Sequence, residues 1–333
     1  MSRIAIVGSG SWGTALALSF SRRGDHSIVL WSHSAAAAET IGKQRENLAY
    51  LPGYRIPEQV SATTDLASAV GDAAIVVSAV PAQHTRETYR AMAPLLRPSQ
   101  VLVSATKGIE DKSFLRMTEV IAQVLGGSRP PLGVLSGPSF AQEVAAGFPT
   151  AIVVAFKESG LAGRIQEEFS SPGLRLYTND DVIGVELGGA LKNVIAIAAG
   201  IATGLGLGSN SVAAIVTRGI AEMTRLAIAC GGRRETISGL SGLGDLVLTC
   251  TGPLSRNRLV GMELGRGHSL PEILAQLGGK VAEGVQTTSA ALGLAKLHGV
   301  EMPITEQMSG ILNQGKSPQD AIRELMSRPG RDE

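Results

Sequence analysis

A glycine-rich turn near the start of the chain limits its fold more than any other feature. Ile4, Ala5, Ile6 and Val7 form an unbroken apolar run. Gly8-Ser9-Gly10-Ser11-Trp12-Gly13 follows at once and leads into the small, apolar stretch Thr14 to Phe20. Strand, tight turn and helix in that order open a parallel sheet. Gly8 permits the turn, Gly10 lets backbone approach a pyrophosphate, and Gly13 lets helix and strand pack closely. The amides freed at the helix start face an anion. The expectation is a dinucleotide site; the alternative is a glycine-rich turn that binds nothing.

The rest of the first half repeats this alternation. Strands are expected at Arg3 to Val7, Ser27 to Trp31, Ala74 to Ala79, Gln100 to Ser104, Gly133 to Leu135 and Ala151 to Ala155. Helices are expected at Thr14 to Arg23, Ala35 to Glu46, Asp65 to Val70, Arg86 to Leu96 and Ser113 to Leu125. Beyond Thr178 the pattern becomes long helical segments rich in Ala, Gly and Leu, the first capped by Asp180 or Asp181. With 333 residues, the chain exceeds one ordinary core. The reading is an α/β protein: an N-terminal Rossmann doubly wound parallel sheet over residues 1–178, then an all-helical C-terminal domain over 179–333. The active site is expected where the two halves meet.

Composition excludes several classes. The net charge is +1 and the basic residues form no run, so no nucleic-acid footprint or polybasic anchor is expected. Cys230 and Cys250 are the only cysteines and the five histidines are scattered, so neither a disulfide framework nor a metal site is indicated. No charged leader with an apolar core precedes the first strand, and the apolar stretch Val194 to Gly208 is glycine-interrupted and short for a membrane span. A cytoplasmic protein is expected.

Two positions bear on the cofactor. A carboxylate about twenty residues past the glycines holds the ribose of NAD. Here Trp31-Ser32-His33 stands there instead, a hydroxyl and an imidazole that tolerate a 2'-phosphate, so NADP(H) is favoured over NAD(H). His33 as a mere loop histidine is the alternative. Trp12 either covers the pyrophosphate or packs in the core.

Hydride transfer to a ketone needs a proton donor, and Lys192 is the only charge between Glu186 and Arg218. A lysine isolated in an apolar helix is expected to be partly desolvated, which lowers its pKa toward neutrality. Asp245, in Gly242-Leu-Gly-Asp245-Leu-Val-Leu, either pairs with Lys192 or caps a helix. Ser255-Arg256-Asn257 sets a hydroxyl, a guanidinium and an amide at an expected helix start, suited to a phosphate. Lys107 and the loop Ser136 to Ala141 follow late strands, where ligands bind in open parallel sheets, with structural turns the alternative for both loops. A hydroxy-acid dehydrogenase, with Arg256 on a carboxylate, and a non-catalytic NADPH sensor are the rival readings.

These motifs together resemble the bacterial NAD(P)-dependent glycerol-3-phosphate dehydrogenase family. The resemblance runs through the glycine turn, Tyr50 to Gly53, Val80 to Gln83, Thr106 to Glu110, Ser136 to Ala141, Leu187 to Asn193, Gly242 to Leu246, Ser255 to Asn257 and Val281 to Gly284. It implies a second domain like that of 6-phosphogluconate dehydrogenase. It also implies interconversion of dihydroxyacetone phosphate and sn-glycerol 3-phosphate, supplying glycerophospholipid backbones. Lys192 would be the proton donor and acceptor, assisted by Asp245. Lys107, Gly137, Ser139, Asn193, Asp245, Ser255, Arg256 and Asn257 would contact the triose phosphate. Ser11, Trp12, His33, Lys107, Ala141, Arg256, Val281 and Glu283 would line the cofactor beside Gly8, Gly10 and Gly13. Ser9 replaces the usual alanine, and Thr203 and Ser209 stand where acids are frequent. A homodimer is expected from the helical second domain.

Overall fold

The computed structural model describes residues 2–127, 130–278 and 281–329. Its packing divides the chain into two units, the first of residues 1–107 and 116–186, the second of 108–115 and 187–333.

The first unit carries the eight-stranded sheet. In chain order the strands are β1 (Ser2–Val7), β2 (His26–Trp31), β3 (Val60–Thr63), β4 (Ile75–Ser78), β5 (Val101–Ser104), β6 (Leu132–Ser136), β7 (Thr150–Ala155) and β8 (Leu174–Asn179). Their spatial order is β3-β2-β1-β4-β5-β6-β7-β8, reversing direction of growth at β1, as a doubly wound sheet does. Among the described residues seven α-helices attend it: α1 (Ser11–Ser21), α2 (Ala35–Gln44), α3 (Leu66–Val70), α4 (Thr85–Met92), α5 (Met117–Leu125), α6 (Ala141–Ala146) and α7 (Ser159–Phe169).

Two-residue periodicity explains the layers. Ile4 and Ile6 of β1 join one apolar cluster with Leu16 and Phe20 of α1, Val144 of α6 and Phe169 of α7. Ala5 and Val7, pointing the other way, join a second cluster with Val70 of α3, Tyr89 of α4 and Ile121 of α5. Both faces of the strands are therefore buried, which is why they read as continuous apolar runs. Each such Ile or Val contributes about 1.5–3 kcal/mol by burial.

The wholly parallel sheet expected from the sequence needs one correction. β6 and β7 pair antiparallel, with Leu135 opposite Val154, while β7 and β8 are parallel. The only helix between β6 and β7 is α6, six residues long. At about 1.5 Å per residue it cannot return the chain along the sheet, so the chain turns and runs back instead. The sequence reading also missed β3, β8, α6 and α7. The helix expected from Ser113 starts at Met117, because Lys112 and Phe114 hold positive φ of 67° and 59°.

The second unit is helical. α8 (Val182–Gly204) begins in the first unit and continues into the second. It is followed by α9 (Gly208–Ala229), α10 (Arg234–Ile237), α11 (Asp245–Thr251), α12 (Arg256–Gly265), α13 (Leu270–Gln276), α14 (Glu283–Leu297), α15 (Pro303–Gln314) and α16 (Pro318–Met326). The start of α8 is fixed in the first unit. Asp181 Oδ1 accepts the Gly184 amide at 2.8 Å, and buried Glu186 takes Arg116 Nη1 at 2.5 Å and the Thr118 amide at 2.7 Å. These bonds hold the first turns of α8 to the first unit, which runs to residue 186.

α8 is long and apolar enough to cross a membrane by length and composition, longer than the sequence suggested, yet 94% of its apolar window is buried in the protein. Small residues let it sit deep. A Cβ on Gly200 would lie 2.1 Å from the Arg258 carbonyl, and one on Gly261 would lie 2.0 Å from that of Ile197. α8 and α12 thus touch backbone to backbone. The end of the chain expected to fray, Arg328 to Glu333, lies outside the described residues from 330 onward.

Candidate active site

In the first unit the glycine turn is a backbone structure. Gly8 has φ 118°, and a Cβ there would meet the Ala79 carbonyl at 2.7 Å. A Cβ on Gly13 would lie 1.8 Å from the Gly8 carbonyl, so the turn closes on the helix only because both positions lack side chains. At Gly10 nothing lies within 4 Å of the same construction. Gly10 is also the N-cap of α1 and offers no side chain to its amides. An open approach and uncapped amides at one helix start are what a pyrophosphate requires. Partly buried Trp12 packs against the first cluster, and its Nε1 has no partner among the described residues. Ser11 Oγ is committed to the Tyr50 carbonyl at 2.7 Å.

At the end of β2 no carboxylate stands. The Ser32 hydroxyl is buried and bonded to Ser9 Oγ at 2.7 Å and to the Ser34 carbonyl at 3.0 Å. Of the two groups expected to favour a 2'-phosphate, then, only His33 is exposed, its ring edge-on to Trp31 at 6.3 Å. Lys107 Nζ and Ser139 Oγ both donate to the Gly137 carbonyl, at 2.9 and 2.8 Å, so three of the expected contacts are gathered in one place. Gly137, at φ 139°, sits against Ile152, where a Cβ would come within 2.9 Å. Ala141 opens α6 and packs on the first cluster.

In the second unit the chemistry is in buried side chains. A Cβ on Gly188 would lie 2.5 Å from the Ser241 carbonyl, so α8 lies directly on the turn of π-helix at Leu240–Gly244. One helical turn beyond Gly188 comes Lys192, and Asp245 follows that π-turn, so the two side chains meet. Lys192 Nζ donates to Asp245 Oδ1 at 2.8 Å and to Thr249 Oγ1 at 2.7 Å, with Lys192 only 7% exposed and Asp245 1%. Thr249 Oγ1 in turn donates to the Asp245 carbonyl at 2.6 Å. The sequence reading did not single out Thr249. The signal was present, since Thr249 lies four residues after Asp245 on one helix face. Asp245 does not act as a side-chain cap; it is the partner of Lys192. A carboxylate so close favours the ammonium form of the lysine. Burial pushes the neighbouring Cys250 thiol up to about 12, which leaves it a packing group.

Beside this trio a chain of amides locks three helices. Asn257 Nδ2 donates to Asn193 Oδ1 at 2.9 Å, and Asn257 Oδ1 accepts the Gly284 amide at 3.0 Å. Both side chains are buried and hold α8, α12 and the start of α14 together. Ser255 caps α12, its Oγ accepting the Arg258 amide at 3.2 Å. Arg256 is exposed at the first position of α12 and has no hydrogen bond among the described residues. Desolvation by surrounding atoms lowers its pKa, opposed by the Glu283 carboxylate at the head of α14. Val281 lies partly buried two residues before Glu283.

Comparison with known proteins agrees with this arrangement. Residues 3–162 match the N-terminal domain of NAD-dependent glycerol-3-phosphate dehydrogenase, and residues 181–323 match its C-terminal domain. A glycerol-3-phosphate dehydrogenase (NAD(P)+) of Acidobacterium capsulatum is 61% identical, covering 100% of both chains. One from Nitratidesulfovibrio vulgaris is 49% identical over 99% of this chain and 100% of its own. The crystal structure of glycerol-3-phosphate dehydrogenase from Coxiella burnetii superposes with a TM-score of 0.94 at 42% identity, covering 98% of this chain and 99% of that one. A ketopantoate reductase of Ralstonia eutropha, at 16% identity and a TM-score of 0.60, shares the fold alone. With a dinucleotide turn in one unit, a buried lysine centre in the other and both family domains matched, the chain belongs to the NAD(P)-dependent glycerol-3-phosphate dehydrogenases.

Proposed function

We propose that the protein reduces dihydroxyacetone phosphate to sn-glycerol 3-phosphate, with Lys192 as the proton donor. The observation that carries this is the Lys192 ammonium, buried and held between Asp245 and Thr249. Reduction of a ketone turns its carbonyl oxygen into an alkoxide, and a fixed ammonium supplies the proton it needs. Asp245 keeps the lysine charged and oriented. Thr249 fixes a second direction, leaving the ammonium's third hydrogen for the substrate oxygen. In the reverse reaction the same nitrogen takes the hydroxyl proton.

The nicotinamide, when bound, supplies or accepts the hydride. The glycine turn, Trp12, Ala141, Val281 and Glu283 would hold that cofactor. Arg256 and Ser255 bind the phosphate, the guanidinium as a two-pronged donor at the head of α12. Asn193 and Asn257, tied to each other, hold the shape of that end of the site and offer their remaining amide hydrogens to the substrate. On the first unit, Lys107 and Ser139 gather at Gly137. Remote phosphate contacts place the carbonyl for reaction. NADP(H) is favoured over NAD(H), since no carboxylate follows β2 and His33 is exposed there. We further assign the product to glycerophospholipid synthesis, in the cytoplasm, by a homodimeric enzyme.

The test is NADPH oxidation followed by absorbance with dihydroxyacetone phosphate, against unphosphorylated dihydroxyacetone and against NADH. Fast oxidation that needs the phosphate is expected. Equal rates with the unphosphorylated ketone would remove the phosphate from the reading, and faster oxidation of NADH would reverse the cofactor order.

A further inference from the structure

The segment Asn47 to Gly53 has no role in the scheme above, yet it is stapled to the glycine turn. Asn47 is 1% exposed. Its Nδ2 donates one hydrogen to the Ser9 carbonyl at 2.8 Å and the other to Thr14 Oγ1 at 2.8 Å, while Oδ1 accepts the Tyr50 amide at 3.3 Å. Both donors and the acceptor are therefore used. The neighbouring contacts extend the network. Ser9 Oγ donates to Ser32 Oγ at 2.7 Å, and Ser32 Oγ also accepts the Ser34 amide at 3.2 Å. Leu51, buried to 1% exposure, anchors the loop by its amide on the Asn47 carbonyl.

The geometry of one peptide gives this contact a consequence. In a trans peptide the carbonyl and the following N–H point in opposite directions. Asn47 holds the Ser9 carbonyl, so the Gly10 N–H of the same peptide points away from Asn47, at a position where an added Cβ would also meet nothing within 4 Å. That amide starts the anion-facing end of α1. We propose that Asn47 is a positioning residue for the cofactor pyrophosphate: it sets the Ser9–Gly10 peptide so that the turn is shaped for its ligand before the ligand arrives. Preorganisation of this kind appears as affinity, because the turn loses no freedom on binding. The serine chain from Ser9 to Ser34 passes the same restraint to the loop that carries His33. The inference rests on the reading that the glycine turn holds the dinucleotide.

Calorimetric titration of the full-length protein with NADPH and with NADH tests it, beside steady-state kinetics. Asn47→Ala should raise the Kd of both cofactors about tenfold or more, with the loss in cofactor KM rather than in kcat or in the KM for dihydroxyacetone phosphate. Asn47→Asp should be worse, since a carboxylate then faces the Ser9 carbonyl. Leu51→Ala loosens the same loop without touching the amide; it should lower Tm and leave Kd within twofold. A Kd for Asn47→Ala within twofold of the parent, or an equal rise in Leu51→Ala, would overturn the proposal and leave Asn47 a structural residue. Should the Asn47 variants fail to fold, Thr14→Val removes one of its two acceptors with little change of shape. A Kd raised severalfold there supports the inference, and an unchanged one overturns it. Failure of the parent protein to bind either cofactor would instead sink the dinucleotide assignment itself.

Discussion

The two units build their sites from different material. In the first, recognition is a matter of backbone: two glycines that tolerate no side chain, one that faces open space, and amides at a helix start. In the second it is a matter of buried side chains: an ammonium with a carboxylate and a hydroxyl each within 2.8 Å of it. Backbone sites are neutral and set by shape. Side-chain sites are charged, and their cost of burial is offset only while every partner is present. The lesson is that the first should break by added volume and the second by removed charge.

Removal of the charge should have the largest effect. Lys192→Ala is expected to lower kcat by about a thousandfold or more, as loss of a general acid does, and to leave the Kd for NADPH unchanged. Single-turnover oxidation of NADPH and a separate binding titration measure the two halves of that statement. Turnover within tenfold of the parent would remove Lys192 from the chemistry. Because the variant leaves Asp245 buried without its lysine, a fall in Tm is expected alongside and does not by itself bear on catalysis.

Added volume is the counterpart in the first unit. Gly13→Ala places a methyl group 1.8 Å from the Gly8 carbonyl, where backbone and not a flexible side chain must give way. A loss of about 3 kcal/mol is expected, at the upper end for overpacking, with cofactor affinity falling further than stability. Gly10→Ala sharpens the contrast, since its methyl meets no protein atom. It should leave Tm nearly unchanged and weaken only the cofactor. Thermal unfolding with and without NADPH distinguishes the two variants, and equal behaviour would show that the turn is not shaped around a ligand.

Arg256→Ala probes a charged group of the second site that is exposed and has no hydrogen bond among the described residues. Loss of a charge-assisted contact is worth about 1.5–3 kcal/mol, so the KM for dihydroxyacetone phosphate should rise about ten- to a hundredfold with a smaller change in kcat. An unchanged KM would remove Arg256 from phosphate recognition.

What the sequence disclosed follows the same division. The glycine turn was legible because its geometry demands residues at fixed offsets, and Lys192 because a lone charge in an apolar helix needs a reason. The start of α12 was legible at Ser255-Arg256-Asn257, where the serine caps the helix. β3 and β8 were not. β3 is a four-residue stretch, Val-Ser-Ala-Thr, with little apolar content, and β8 is an edge strand alternating buried and exposed, unlike the solid apolar runs that marked its neighbours. α7 carries two glycines and no capping side chain, so nothing local announced it. Thr249 and Asn47 were missed for a further reason. Their roles are set by partners 57 and 38 residues away; the four-residue spacing from Asp245 was the one local hint for Thr249, and nothing local pointed to Asn47.

The last expected effect separates the units by pH. Glu222 on α9 is 2% exposed and accepts the Ile304 amide at 2.5 Å and the Thr305 amide at 3.3 Å, capping α15 from another helix. Burial raises its pKa to about 7 from an ordinary 4.5, against the pull of the Ile304 and Thr305 bonds. Between those two values the folded protein holds a proton that the unfolded chain has lost. Stability from this group is thus full below about pH 4.5 and is lost as pH rises through about 7. A shift of this size corresponds to about 3 kcal/mol. The measurement is the denaturant midpoint at pH 5 and pH 8 in the parent and in Glu222→Gln. The variant cannot ionise and should lose most of that slope, while the cofactor affinity contributed by the glycine-turn amides of the first unit should not follow it. A slope that survives the substitution would place the pH sensitivity elsewhere. Cofactor binding that tracked the Glu222 titration would break the division between a neutral backbone site and a charged side-chain one.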